Sequence, residues 1–441
     1  MRNILLFGAG RSASTLIKYI LENSINEQWK LIVVDVSQEL AQQKTGNHER
    51  AVALGLDIHD EAQRRFLVQG AHIVISMLPA ALHYLVAQDC VLHKKNLVTA
   101  SYISDEIASL HDEALKNNIV LMNECGLDPG IDHMSAMKSI NELKKSGNEI
   151  LSFKSYTGGL VAPENNDNPW GYKFTWNPRN VIIAGQGTAR YIENGNYKYI
   201  PYNRLFRQLE KINIEGIGSF EGYANRDSLA YRKYYGLENI PTMLRGTLRY
   251  QGFCQAWDVF VKLGLTDDTY RIENSEEITY QQLLDSYLPS AIKGTRINKR
   301  LKNFYGDLPD EAIERVLWTG IAEPVKINLK RATPAQVLQQ LLVSKWVLNE
   351  SDKDMVVMCH QFEFRNNQGE TGKLNATLVV KGEDALHTAM AKTVGLPLAV
   401  TTKHILNGTI KSKGVQLPVT PEVYEPVLDE LKNYGIIFEE K

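Results

Sequence analysis

Residues 3–23, NILLFGAGRSASTLIKYILEN, restrict this chain to few architectures. Ile4, Leu5, Leu6 and Phe7 form a short continuous apolar run, as a strand buried on both faces of a parallel sheet requires. Gly8-Ala9-Gly10 then makes a tight turn, and Leu16, Ile17, Ile20 and Leu21 recur at helical spacing. Strand, glycine turn and helix in that order is the setting of a dinucleotide-binding fingerprint. Such a helix aims free N–H groups and the positive end of its dipole at the turn, where a pyrophosphate fits. Gly8 permits the turn, and Gly10 permits close approach of phosphates along Gly10, Arg11, Ser12 and Ala13.

The pattern is G-x-G-x-x-A, with Ala13 in the third place. Glycine turns also end strands in proteins that bind nothing, so the downstream residues matter. A second apolar run, residues 31–34, ends at Asp35. That puts a carboxylate roughly 20–25 positions past the glycines, where it can accept from the adenosine ribose hydroxyls. The alternative is a bare βαβ unit in which Asp35 caps the next helix. Further strands are expected at 52–57, 72–75, 97–99 and 119–122, with helices at about 38–44, 61–68, 81–93 and 105–116. This alternation favours the nucleotide reading and predicts an α/β fold with a doubly wound parallel sheet. Ligands bind such sheets at the carboxyl ends of the strands. That singles out Asp57-Ile58 for the adenine, and Ser76-Met77-Leu78-Pro79 and Ala100-Ser101-Tyr102 for the ribose and nicotinamide.

At 441 residues the chain has room for two or three domains. A net charge of −2 with no basic run excludes an electrostatic nucleic-acid partner. Cys90, Cys125, Cys254 and Cys359 lie far apart without a C-x-x-C pair, which argues against a disulfide framework or structural zinc and fits a reducing cytoplasm. The first apolar run is too short for a signal peptide. The most apolar window, 71–92, is interrupted by His72, Pro79, His83 and Asp89, and strand, turn and helix explain it better than a membrane span. There is no H-E-x-x-H or G-x-S-x-G, so neither a metal nor a serine nucleophile is expected.

Residues 124–133, ECGLDPGIDH, read as a helix start, with Asp128 as N-cap and Pro129 at the first helical position. Ile131, Met134, Met137 and Ile140 then give one apolar face, and Gly147 closes the helix. Asp128 is either a cap alone or a cap that also faces the nicotinamide. After Gly147 a strand is expected at 150–155 and a long ordered loop at 158–176. Residues 276–345 read as mainly helical, 355–381 as a hairpin, 385–394 as a helix broken at Gly395-Leu396-Pro397, and 421–431 as a last helix before a strand at 436–438. Arg226, Arg232, Arg245 and Arg249 cluster in sequence, the last two sharing a face if 243–263 is a helix. Each could be a surface ion pair. As a group they suit an amino-diacid or imino-acid substrate, because guanidinium groups grip carboxylates bidentately.

NECGLDPGIDH at 123–133, SYTGGLVAPENNDNPWGYKFTW at 155–176, YANRDSLAY at 223–231, LRGTLRYQGF at 244–253 and AMAKTVGLP at 389–397 resemble the glutamate-forming saccharopine dehydrogenases. The resemblance implies a Rossmann domain (1–128) and a mixed α/β substrate-binding and dimerisation domain (129–382) with a helical insertion at about 270–345. A C-terminal segment (383–441) would return to the first domain. It implies a homodimer of lysine metabolism that uses NAD or NADP, with a small amino-acid substrate. Saccharopine would lose hydride from a carbon bearing its secondary amine, and water would release glutamate and aminoadipate semialdehyde. By this resemblance Ser101, Tyr102, Asp128, Arg226, Thr247, Leu248 and Arg249 would line the substrate pocket. Gly8, Gly10, Arg11, Ser12, Ala13, Asp35, Asp57, Ile58, Met77, Leu78, Thr99, Leu127 and Trp176 would lie along the cofactor. Asp128 is the first candidate for proton transfer or for holding the amine, and Tyr102 the second.

Two positions depart from the family. Thr157 stands where members have a cysteine proposed for acid–base work, and a threonine hydroxyl is a poor base. Asp35 stands near where the fungal enzymes place an arginine for NADP, and its charge would repel a 2′-phosphate. NAD is therefore expected to serve at least as well as NADP. The competing readings are a carboxynorspermidine dehydrogenase, against which the arginines count, and a non-catalytic dinucleotide-binding sensor.

Overall fold

The computed structural model describes residues 1–184, 186–290, 295–306 and 308–441. The chain forms two compact units: 1–150 with 234–236 and 358–441, and 151–233 with 237–357.

The first unit opens with β1 (Arg2–Phe7), α1 (Ser14–Asn23), β2 (Trp29–Asp35), α2 (Gln38–Thr45), β3 (Ala51–Gly55), α3 (Glu61–Gly70), β4 (Ile73–Ser76), α4 (His83–Leu92), β5 (Asn96–Thr99), α5 (Asp105–Ala108), α6 (His111–Lys116) and β6 (Val120–Met122). The strands pair in parallel in the order β3-β2-β1-β4-β5-β6. The order reverses between β1 and β4, so the crevice for a ligand lies beyond Phe7 and Ser76, which pair there. The run Ile4–Phe7 is sealed in the core. Two expectations need trimming. The third strand ends at Gly55, leaving Leu56 and Asp57 in the next turn, and the helix at 105–116 is two short helices.

α7 (Ile131–Lys145) corrects the capping expectation. Asp128-Pro129 is a cis peptide outside the helix, and Gly130 (φ 148°) precedes the first helical residue. Asp132, not Asp128, accepts the Gly130 N–H, at 2.6 Å. Only glycine fits at 130, because a Cβ there would sit 2.0 Å from the Gly126 carbonyl oxygen.

The second unit takes most of β7 (Glu149–Val161), then α8 (Pro178–Ile182), β8 (Ala189–Glu193), β9 (Asn196–Ile200), α9 (Tyr202–Leu205), β10 (Glu210–Ile214), β11 (Gly218–Ala224), β12 (Thr242–Tyr250) and α10 (Phe253–Leu263). Four helices follow: α11 (Tyr280–Tyr287), α12 (Ile297–Tyr305), α13 (Asp310–Trp318) and α14 (Pro334–Val343). The sheet is mixed. β10-β11-β12 are antiparallel, and β12 runs parallel to β7. β7 extends through Val161, so the anticipated loop begins as strand. Arg245 and Arg249 lie on a strand, not a helix; the helix starts only at Phe253. Trp170, Trp257, Phe260 and Trp346 pack an aromatic core under the helices, with Trp170 and Trp346 centroids 5.3 Å apart.

β13 (Asp354–Arg365) leaves the second unit after Val357. β14 (Thr371–Lys381), α15 (Ala389–Leu406), β15 (Gly414–Gln416), α16 (Pro421–Leu431) and β16 (Glu439–Glu440) belong to the first. β15 adds a seventh parallel strand beside β6, pairing Gly414 with Val120 and Gln416 with Met122. α15 passes straight through Gly395-Leu396-Pro397, contrary to the expected break. It lies so close to α1 that a Cβ on Gly395 would be 2.9 Å from the Leu16 amide nitrogen. Burial against α1 outweighs the hydrogen bond that Pro397 removes. Residues 436–438 are not strand; β16 follows them and pairs with β14. Residues 129–150 and 358–382 group with the first unit, where α7 packs on α16 and Ser135 hydrogen-bonds His360 at 2.7 Å. No helix among the described residues is long and apolar enough to cross a membrane.

Candidate active site

The glycine turn joins β1 to α1 through Gly8 at φ 100°, where a Cβ would lie 2.9 Å from the Met77 carbonyl. The turn is thus pressed against the strand that follows it across the switch point. Its two chain neighbours aside, no described residue comes within 4 Å of where a Cβ on Gly10 would be, so a ligand has open access to that backbone. Arg11–Ala13 make one 3-10 turn leading into α1. Asp35 ends β2 and reaches back to the turn: Oδ2 accepts the Ala9 N–H at 2.8 Å, and Oδ1 accepts the Ser37 N–H at 3.1 Å. Asp57 closes a turn after β3 through the His59 N–H at 2.9 Å, and the Ile58 carbonyl holds Arg64. Met77 and Leu78 follow β4, and Thr99 ends β5. Every one of these positions falls at the carboxyl edge of the parallel sheet. An open glycine turn with a carboxylate beside it fits a dinucleotide.

At the same edge, the Tyr102 hydroxyl donates to Asp128 Oδ1 at 3.4 Å. Leu127 and Asp128 sit in a tight loop in which the Gly126 N–H donates to the Pro129 carbonyl at 2.9 Å. Behind them lies Glu124, at φ 58°. Its N–H donates to the Ser101 carbonyl at 3.2 Å, and its Oε1 accepts the Ile103 N–H at 3.1 Å. Its Oε2 meets His133 Nε2 at 2.8 Å, and His133 Nδ1 meets the Tyr235 hydroxyl. Glu124 therefore clamps the backbone on both sides of Tyr102. Ser101 itself bonds His83 Nε2 at 2.6 Å.

In the second unit, β12 displays Arg245 and Arg249 on one side, since strand side chains alternate with period two. Arg249 is buried among Tyr172, Tyr223 and Phe253, with its guanidinium carbon 5.2, 6.0 and 5.3 Å from their ring centroids. Its Nη1 donates to the Leu248 carbonyl at 2.8 Å. Among the described residues no carboxylate pairs with it, and its Nε has no partner. Trp176 lies beside the Tyr172 hydroxyl, and Thr247 beside the Tyr223 hydroxyl. Burial raises both phenols, which stay neutral. Thr157 faces Thr247 across β7 and β12, and its buried Oγ1 also lacks a partner among the described residues. So Trp176, Thr247, Arg249 and the Leu248 carbonyl meet around one aromatic box, the Leu248 side chain projecting to the other face of β12. Arg245 lies over the Tyr231 ring at 4.4 Å, and Arg226 (φ 43°) follows β11, its carbonyl accepting the Arg190 N–H at 2.7 Å. Arg232 binds the Tyr197 hydroxyl at an exposed edge.

Residues 4–122 match the family model described as saccharopine dehydrogenase NADP binding domain, and 126–436 that described as saccharopine dehydrogenase C-terminal domain. The chain belongs to the saccharopine dehydrogenase family. The NADP(+), L-glutamate-forming saccharopine dehydrogenase of Saccharomyces cerevisiae is 34% identical over 100% of this chain and 99% of its own length. The enzyme of that name from Schizosaccharomyces pombe is 31% identical over the same shares. The mouse mitochondrial alpha-aminoadipic semialdehyde synthase is 34% identical over 99% of this chain but 47% of its own length. A solved apo structure of the Saccharomyces cerevisiae enzyme superposes with a TM-score of 0.88 at 33% identity, covering 100% of this chain and 99% of that one. Within this family member, sequence reasoning missed Glu124, His133 and His83 as groups that hold the Ser101–Tyr102 segment. It also missed Tyr172 and Tyr223 as walls of the arginine box. The two tyrosines, Glu124 and His133 could have been suspected from their places in the quoted segments; His83 carries no local pattern.

Proposed function

We infer that this chain is a glutamate-forming saccharopine dehydrogenase: saccharopine, NAD(P)+ and water give L-glutamate, 2-aminoadipate 6-semialdehyde, NAD(P)H and a proton. The observation that carries the substrate class is Arg249, a buried cation with no carboxylate partner among the described residues, which an anionic substrate would neutralise. Saccharopine brings three carboxylates. The bound nicotinamide supplies the hydride acceptor. Asp128 holds the protonated secondary amine, or takes its proton, so that the nitrogen lone pair is free as the C–H bond breaks. Tyr102, donating to Asp128, steadies that carboxylate. Water then adds to the resulting imine carbon, and the C–N bond breaks to release glutamate. Ser101, Arg226, Thr247 and Leu248 complete the substrate contacts. Gly8, Gly10 to Ala13, Asp35, Asp57, Ile58, Met77, Leu78, Thr99, Leu127 and Trp176 serve the nucleotide. Thr157 offers a hydrogen bond and no acid–base group.

Asp35 directs the preference towards NAD. Its carboxylate is pinned beside the glycine turn by two N–H donors, so a 2′-phosphate arriving there meets a fixed negative charge. The Saccharomyces cerevisiae and Schizosaccharomyces pombe enzymes carry NADP(+) in their names. A kcat/KM at least as high with NAD as with NADP is expected of the purified protein; a large NADP preference would refute the role given to Asp35. We also read the protein as a cytoplasmic homodimer, on its resemblance and its buried free cysteines; light scattering tests the dimer.

The deciding assay mixes protein with saccharopine and either nucleotide and follows reduced-nicotinamide absorbance. Growth of the signal, cut about 100-fold or more in Asp128→Asn, is expected. Silence from protein with bound nucleotide would turn the reading to carboxynorspermidine or to a sensor.

A further inference from the structure

His83 opens α4 and is 1% exposed, yet it binds two hydroxyls on adjacent strand ends. Nδ1 lies 2.7 Å from Ser76 Oγ, at the end of β4, and Nε2 lies 2.6 Å from Ser101 Oγ, just past the end of β5. Thr99 Oγ1 is 3.5 Å from both ring nitrogens and accepts the Ser101 N–H at 3.3 Å. The ring sits at a helix N-terminus, where the dipole opposes a positive charge, and burial pushes it down to about 4. It is therefore a neutral imidazole, with one nitrogen donating and the other accepting.

Two tautomers would satisfy the ring, and Ser76 decides between them. Its side chain is fully buried, and His83 Nδ1 is its one hydrogen-bond partner among the described residues. If Nδ1 carried the hydrogen, the Ser76 hydroxyl hydrogen would have no acceptor, and a buried unmatched donor is costly. With Nδ1 bare, Ser76 donates to it, Nε2–H donates to Ser101 Oγ, and the Ser101 hydrogen is left to point outward. We propose that His83 is a positioning residue that locks the Ser101 hydroxyl as a donor, so that this position takes an acceptor-only oxygen, a carboxylate of the amino-acid substrate. The ligand half of this proposal rests on the function inferred above; the direction of the hydrogen-bond chain does not.

Selective nitrogen-15 histidine labelling reads the tautomer without substrate. The His83 signals should show hydrogen on Nε2; hydrogen on Nδ1 overturns the proposal. In kinetics, His83→Leu should raise the KM for saccharopine roughly ten-fold, leaving kcat and the nucleotide KM within about two-fold. His83→Gln, whose amide offers a donor and an acceptor, should restore most of the loss. In a Ser101→Ala background, His83→Leu should add nothing, because the two act through one bond. A rise confined to the nucleotide KM would assign the acceptor to the cofactor instead, and an additive double variant would reduce His83 to packing; either overturns the proposal. Should His83→Leu not fold, Ser76→Ala removes the group that sets direction and should mix the tautomers while raising the saccharopine KM; an unmixed tautomer overturns the proposal. Wild-type protein that turns over no saccharopine would sink the activity and the ligand half together, and the tautomer would still decide the chain's direction.

Discussion

The Arg249 guanidinium, enclosed by Tyr172, Tyr223 and Phe253 with no carboxylate partner among the described residues, carries a desolvation cost that an anion recovers on binding. Arg249→Met should therefore lower kcat/KM for saccharopine about 100-fold or more, while the melting temperature holds or rises. A variant that melts several degrees lower with unchanged kinetics would show that Arg249 serves the fold. Thr157→Val belongs to the same logic: the hydroxyl it removes has no partner among the described residues, so stability should hold while the saccharopine KM rises a few-fold. The motif singled out Asp128, but the capping role assigned to it was wrong, because Gly126 and Gly130 fold the chain back on itself before the helix begins. Asp128→Asn should consequently cost activity and leave melting almost unchanged. His83 was not legible. A histidine in an apolar helical stretch looks like any core residue until Ser76 and Ser101 are brought to either side of it.

Elements show why periodicity fails where it does. Arg245 and Arg249 share a face in a helix and in a strand alike, since four is close to one helical turn and is also twice the strand repeat. The sequence spacing was right about the face and wrong about the element. The parallel strands of the first unit were readable because double burial makes continuous apolar runs. β15 was not, because three residues carry no periodicity, and only its pairing with β6 makes it a strand. Gly395 and Pro397 signal a break locally, yet Gly395 is the point where α15 lies against the Leu16 backbone. Gly395→Ala, usually favourable in a helix, should here destabilise by about 1–3 kcal/mol, because backbone cannot yield as a flexible side chain can. Denaturant unfolding measures it; a stabilised variant would mean that the helices part freely.

The molecule should respond to acid through Glu430. On α16 it gathers Lys403 and His404 from α15 and the Tyr19 hydroxyl from α1. Burial alone would raise its carboxyl, but the His404 ring 3.3 Å away and hydrogen bonds from Tyr19 and Lys403 outweigh burial and hold it at about 2, below the ordinary 4.5. A carboxyl depressed on folding stabilises fully above its unfolded value. That contribution, on the order of 2 kcal/mol for a partly solvated group, drains away as pH falls from about 4.5 towards 2. Wild type should thus melt above Glu430→Gln at pH 7, with the gap closing in that window; a gap unchanged at pH 2 would contradict the account. The seventh strand has a consequence in time as well. About 290 residues separate β6 from β15, its neighbour in the sheet. At roughly 5–20 residues per second the ribosome needs about 15–60 seconds to deliver that neighbour. Throughout that interval the nascent nucleotide-binding sheet ends in an apolar strand with an open edge, a site where a second nascent chain could pair and where a holdase would find its substrate.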